Sequence, residues 1–350
     1  LTSHVAPVRQ RNLIAAGAVL VAVLALLTWA KWLPYFDKVP KVAGAQTLGP
    51  SFVAGVSGPP GPSLAAGLHY AAKYFAAIWP ALVAGLLIAA AVEAALPGLG
   101  LPSVLRGDTR RAGALGGLLA LPAMMCTCCA APIAVGLRRR GASPGTALAF
   151  LLASPALNPV VLAFCVFVLP WQWASLRAIT GLLLVGGVIA LARRLPEMMR
   201  EEPEQARPPV SGRPQARRPG SRFAIALTRL SLRIVPLHVA LVIALGAARG
   251  WLLPMAGGLG ATAITVFVVA VGATLLPIPT AGEVAIVATL LSSGFDSAIA
   301  GAALITLPAV SLPSLLIVGR SFPARVLAAA GGGVIALGLV TALTVHTLGL

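Results

Sequence analysis

The chain has 350 residues, 58% hydrophobic and only 10% charged, with a mean hydropathy of +0.94. Soluble domains carry about 25% charged residues; this composition excludes a water-soluble fold, and the lack of strand alternation argues against a β-barrel. The net charge of +17 rests on 26 Lys and Arg against nine acidic residues. These cations lie between apolar runs and are not interleaved with aromatics, so they read as membrane orientation and not as a nucleic-acid surface.

Arg9 and Arg11 precede an apolar run at 13–33, which puts the N-terminus in the cytoplasm and sends a first span outward. No secretory cleavage site follows it, so it reads as a span and not a signal peptide. Residues 34–66, with SGPPGPS at 57–63, read as an external loop. A second span at 68–96 holds Pro80 as a kink and returns Arg106, Arg110 and Arg111 to the cytoplasm.

The stretch 121–132 reads LPAMMCTCCAAP and holds three of the four cysteines, Cys126, Cys128 and Cys129, between Pro122 and Pro132. Each proline removes an N–H donor and crowds the preceding turn, so both read as helix breaks. Non-helical backbone persists at membrane depth only where protein buries it or it lines a cavity. A continuous span here would leave Arg138, Arg139 and Arg140 outside. A re-entrant hairpin, in along 112–121 and back along 130–137, returns them to the cytoplasm. Its arms of eight to ten residues reach about half a bilayer.

A span at 146–169 follows, broken by Ser154-Pro155-Ala156-Leu157-Asn158-Pro159, with Trp171 and Trp173 as interfacial anchors. Residues 176–191 cross back, and 193–222 form a polar, Pro-rich, disordered cytoplasmic linker.

The pattern then returns. A span at 230–253 has Pro236 inside it and Pro254 ending it. Segments 261–276 and 282–291 flank Pro277-Ile278-Pro279-Thr280 as a second hairpin, and Pro308 and Pro313 break the next span. Gly294 lies 14 residues before Pro308, as Gly141 does before Pro155; the same offset sets Ser311 against Asn158. Residues 327–348 close this half. Spacing shared with little identity is how internal transporter repeats read. The first tip is followed by three arginines and the second by Asp296 alone, so the repeat reads as inverted. The expected fold is an all-α polytopic membrane protein: an inverted repeat of three spans and one re-entrant hairpin each, plus one extra N-terminal span. The chain divides into an N-terminal span and loop (1–66), a first repeat with the cysteine hairpin (67–192), the linker (193–222) and a second repeat (223–350).

The run from Pro122 through Cys126, Cys128 and Pro132, then Gly141 and Ser154 to Pro159, resembles the ArsP/YraQ group of predicted permeases over about residues 67–348. That resemblance implies a permease fold, a bacterial plasma-membrane location and a preference for soft ligands. Some relatives look like exporters of trivalent organoarsenicals. The chain departs from the group in having a third cysteine at 129 and none in Pro279-Thr280-Ala281-Gly282-Glu283.

Thiolates are soft ligands suited to As(III) and Cu(I); Cys126 and Cys128 in a C-x-C turn would face one point, with Cys129 as a third ligand. The plain alternative is that they pack as small buried residues, the reading given to Cys165. Glu283, far from either predicted surface, is a proton-coupling candidate, or else a carboxyl holding its hairpin in shape. Ser154, Asn158, Thr280 and Ser311 read as substrate-path residues or as groups satisfying backbone freed by Pro155, Pro159, Pro277, Pro279, Pro308 and Pro313. His69 and His238 read as interfacial. The expected activity is export of a small thiophilic solute by alternating access, without an enzymatic step and with no resident cofactor or metal. The expected partners are the lipid bilayer and the solute, a homo-oligomer being compatible with both. Rivals are carriage of a soft metal ion or reduced sulfur compound, and a membrane thiol–disulfide oxidoreductase.

Overall fold

The computed structural model describes residues 17–49, 63–95, 103–107, 109–194, 219–257 and 262–350. Arg9, Arg11, most of the SGPPGPS stretch and most of the expected linker lie outside them. Among the described residues there is no strand, and seven helices are long and apolar enough to cross a bilayer.

Helix α1 (Gly17–Ala45) is longer than the expected span. Residues 34–45, expected in a loop, stay helical through Pro34 and Pro40. A π-helical turn at Thr28–Trp32 precedes Pro34, and that local widening accommodates the missing N–H. Helix α2 (Leu64–Ala95) carries Pro80 within it. A short α3 (Ser103–Arg106) leads to the first hairpin, α4 (Arg110–Ala120) and α5 (Thr127–Arg139). At 1.5 Å per residue these arms of 11 and 13 residues span about 16–20 Å, half a membrane. The break therefore lies at Pro122. Pro132 does not break anything: it sits inside α5, because a packed environment tolerates a helical proline at membrane depth.

Helices α6 (Pro144–Ala156) and α7 (Pro159–Val168) form one broken crossing, and α8 (Trp171–Arg194) returns. Pro155 is the penultimate residue of α6, and Pro159 begins α7, where an absent N–H costs nothing. Trp171 is exposed, whereas Trp173 is buried in the core and not interfacial as expected. Helix α9 (Pro219–Gly257) runs past Pro254, which does not end it. Helices reach Arg194 and begin again at Pro219, so both ends of the expected linker are helical, and its residues 195–218 lie outside the described residues.

The second hairpin is α10 (Ala263–Leu275) and α11 (Gly282–Ser292), followed by the broken pair α12 (Ser297–Ala309) and α13 (Leu312–Val318) and by α14 (Ala324–Leu348). Gly141 and Gly294, matched by spacing, both close their hairpins at positive φ, +85° and +79°. Their spacing partners also share a role: Asn158 and Ser311 are the N-caps of α7 and α13. The halves interlock. Helix α9 packs along α2, α13 lies on the cysteine-bearing α5, and α11 lies on α7. Both hairpin tips end inside this packing.

Candidate functional site: two hairpin tips in contact

After α4 the chain turns at Leu121–Met125, and Met124 takes a left-handed φ of +49°, which costs a non-glycine residue about 1–2 kcal/mol. Ser154 pays for part of this: its hydroxyl accepts the Met125 N–H and donates to the Met125 carbonyl, both at 3.1 Å. The Trp32 indole on α1 donates to the Pro122 carbonyl at 2.9 Å. Gly85 lets α2 approach α5, since a Cβ there would stand 2.7 Å from the Cys129 carbonyl oxygen.

All three hairpin thiols are free and buried. Cys126, the N-cap of α5, and Cys129 bring their sulfurs to 3.4 Å. Cys128 instead meets the Ser311 hydroxyl of α13 at 3.1 Å and accepts from the Tyr74 hydroxyl at 3.7 Å. Thr127 Oγ1 lies 3.3 Å from the same Ser311 oxygen. Cys126 also contacts Cys128 side chain to side chain, so the three thiols stay grouped around Cys126, while among the described residues no three of His, Cys, Asp or Glu are placed to hold a metal ion. Cys165 is buried in a separate part of the core, beside Phe164.

His238, expected at an interface, is fully buried and contacts the Tyr74 hydroxyl at 3.4 Å. It extends a polar chain from α9 through Tyr74 and Cys128 to Ser311. His69 is exposed.

The second tip, Pro277 to Ala281, repeats the strained turn: Ala281 has φ +71°. Tyr70 donates to the Pro277 carbonyl at 3.0 Å, and Lys31 of α1 donates to Thr280 Oγ1 at 3.2 Å. Two residues further, Glu283 forms a buried ion pair of 2.8 Å with Arg177 of α8. Arg177 also donates to the carbonyls of Pro155 (3.0 Å) and Leu304 (3.2 Å). In a continuous helix those carbonyls would take the N–H of residues 159 and 308, and both are prolines. One guanidinium therefore satisfies the acceptor orphaned by a proline in each half, and Glu283 balances its charge.

Cys126, Thr127, Thr280, Glu283 and Pro308 enclose one void of about 10 Å³, space for at most one water. A larger cavity of about 340 Å³ opens beside it, between α1, α2 and both tips. Lys31, Tyr35, Lys38, Cys126 and Thr280 are on its wall. Ser154, Asn158 and Ser311 line neither space. Ser154 holds Met125, and Asn158 Oδ1 accepts the N–H groups of Val160 and Val161 at 3.1 and 3.3 Å. Ser311 reaches Cys128 and Thr127, and its own N–H is taken by Ser314 Oγ at 3.1 Å.

Lys31, Arg177 and Tyr74 escaped the reading of the sequence. A lysine inside the first apolar run, and a lone arginine at the outer end of a span against the charge bias, were the available signals.

Seven apolar crossings with paired, broken half-membrane hairpins beside a buried cavity make this a membrane transport protein. The chain belongs to the ArsP_1 family, described as predicted permease, whose model matches residues 64–347. It is similar to UPF0718 protein YraQ of Escherichia coli (strain K12), 39% identical over 322 residues covering 91% of each chain. No solved structure matches.

Proposed function

We infer that this permease is a secondary transporter exporting a thiophilic solute, with trivalent organoarsenicals as its class, by alternating access around the two tips. The supporting observation is the Cys126–Cys129 pair, sulfurs 3.4 Å apart with Cys126 on the wall of the 340 Å³ cavity. Two sulfurs on one soft centre at bonds of about 2.3 Å and tetrahedral angles stand about 3.8 Å apart, so side-chain adjustment alone closes the pair on such an atom. Arsenic(III) with one organic substituent offers two positions to sulfur. Two As–OH bonds are replaced by two As–S bonds, and the thiol protons leave with the hydroxyls as two waters. Arsenic with two organic substituents offers one position and gains nothing from the second thiol. A soft metal ion wanting three or four ligands is served less well by a pair.

The halves share one order of elements: long helix, hairpin, broken pair, long helix. This supports an inverted repeat with α1 outside it, in a bacterial plasma membrane with the N-terminus cytoplasmic. Each half then moves against the other around the tips. Glu283 is the coupling carboxylate, and its ion pair with Arg177 is what protonation would release.

The test is uptake of methylarsenite and dimethylarsenite into inverted vesicles. Methylarsenite uptake is expected to fall more than about tenfold in Cys126→Ser and Cys129→Ser, because the chelate is lost, and to persist in Cys128→Ser. Dissipating the proton gradient with an ionophore is expected to stop it. Uptake unchanged in Cys126→Ser and Cys129→Ser refutes the assignment.

A further inference from the structure

We propose that the 340 Å³ cavity beside the sulfur pair is an anion site, so that the cargo carries a negatively charged group as well as a thiol-reactive centre. This builds on the thiophilic reading and adds a charge requirement to it.

The cavity wall carries two cations and no carboxylate. Lys31 is only 6% exposed. Its ammonium lies 5.4 Å above the Tyr35 ring, donates to Thr280 and also hydrogen-bonds with Tyr35. Lys38 stands at the exposed mouth, 5.8 Å from the Phe164 ring. Among the described residues neither lysine pairs with a carboxylate: Asp37 is taken by Lys41, Glu93 by Arg139 and Arg229, and Glu283 by Arg177. The groups around the buried ammonium are a phenol and the thiols Cys126 and Cys129, so a full anionic charge beside it would lower the cost of holding it at membrane depth. Lys31 lines the cavity.

The backbone adds positive potential at the same place. Helices α5 and α11 both begin there, with Cys126 and Gly282 on the wall. Neither helix has a side-chain cap at its N-terminus. Thr109, Ser143, Asn158, Thr262 and Asp296 cap α4, α6, α7, α10 and α12. Uncapped N-termini carry about half a positive charge each; at α11 the Gly282 N–H is bonded to the Pro279 carbonyl and Glu283, paired with Arg177, lies in the first turn, so α5 supplies the larger share. Lys31 and Lys38 come from α1, outside the residues matched by the family model, so nothing in that match assigns them.

The fitting cargo is a small anion whose carboxylate or oxyanion group reaches Lys31 while its soft atom meets Cys126. Lys31 is then a specificity-determining residue, and the soft-atom contact stays with the thiols.

The test compares phenylarsine oxide with its para-carboxylate, which present the same arsenic and differ by one charge, by calorimetric titration of the full-length protein in detergent. Benzoate, which has no arsenic, is added as a third probe by its effect on melting temperature. The carboxylated arsenical is expected to bind about tenfold more tightly than phenylarsine oxide, a modest share of the attraction available at an effective dielectric of about 20. Lys31→Met is expected to bring the two within about twofold by weakening only the carboxylate, while Lys31→Arg keeps the preference. Benzoate is expected to raise the melting temperature of the wild type and not of Lys31→Met. Equal affinities together with no benzoate effect overturn the anion site and leave the thiophilic reading standing. Equal weakening of both arsenicals in Lys31→Met overturns it too, because the lysine would then serve the thiol. If neither arsenical binds but benzoate stabilises through Lys31, the anion site holds and the thiophilic reading falls. Melting of the unliganded variants separates these results from misfolding.

Discussion

The first hairpin tip is held by neutral groups and the second by charge. Both place a non-glycine residue at positive φ, Met124 and Ala281, and both take a hydrogen bond from α1, through Trp32 and Lys31. Each also leads into a helix whose N-terminus lacks a side-chain cap. From there they part. Hydroxyls and an indole anchor the sulfur-bearing tip, so its thiols can be exchanged without exposing a buried charge. The second tip is tied through Glu283 to Arg177, and through Arg177 to carbonyls in both halves. On the proposed function this is a division of labour: the cargo thiols are on the tip held by neutral groups, and the buried ion pair is on the other.

The widest gap between the tips is expected at that joint. Glu283→Gln or Arg177→Met leaves a buried group unpaired and should cost about 3–5 kcal/mol, read as a large fall in melting temperature in detergent. Replacing both by Met should cost less than the sum of the two, and an additive result would deny the coupling. On the sulfur tip the largest effect belongs to Gly85→Ala, whose Cβ would meet the Cys129 carbonyl at 2.7 Å. Overpacking of this kind costs about 3 kcal/mol at its upper range, and the shifted hairpin should lose arsenical binding with it. Ser154→Ala strands both polar groups of Met125 and should cost about 2 kcal/mol. Smallest is Tyr74→Phe, which removes one O–H contact to Cys128 and should cost about 1 kcal/mol while leaving arsenical affinity unchanged; a loss of affinity would mean that Cys128 belongs to the cargo site.

Much of the frame could be read from local rules. Prolines flanked by small residues marked both hairpins and both broken crossings, and the glycines at 141 and 294 do sit at positive φ as hairpin closures need. Pro132 and Pro254 show the limit of that rule: helices run through both, and at buried Pro132 the surrounding packing absorbs the lost hydrogen bond. The partnerships were not legible. Arg177 and Glu283 lie 106 positions apart, and Lys31 and Thr280 lie 249 apart, so only the tertiary fold joins them. His238 and Trp173 looked interfacial by position along the chain, but the packing of α9 on α2 and of α8 into the core buries both. Nor could spacing say that the 3.4 Å sulfur contact is Cys126 to Cys129, because it depends on where the helix starts after the turn.

The central claim is that Cys126 and Cys129 form a two-sulfur cargo site at the meeting point of the tips. X-ray absorption at the arsenic edge of the phenylarsine oxide complex reads the ligand count directly. Two sulfur neighbours are expected in the wild type and in Cys128→Ser, falling to one in Cys126→Ser or Cys129→Ser. Three sulfurs in the wild type, or two that fall to one when Cys128 is replaced, would contradict the account.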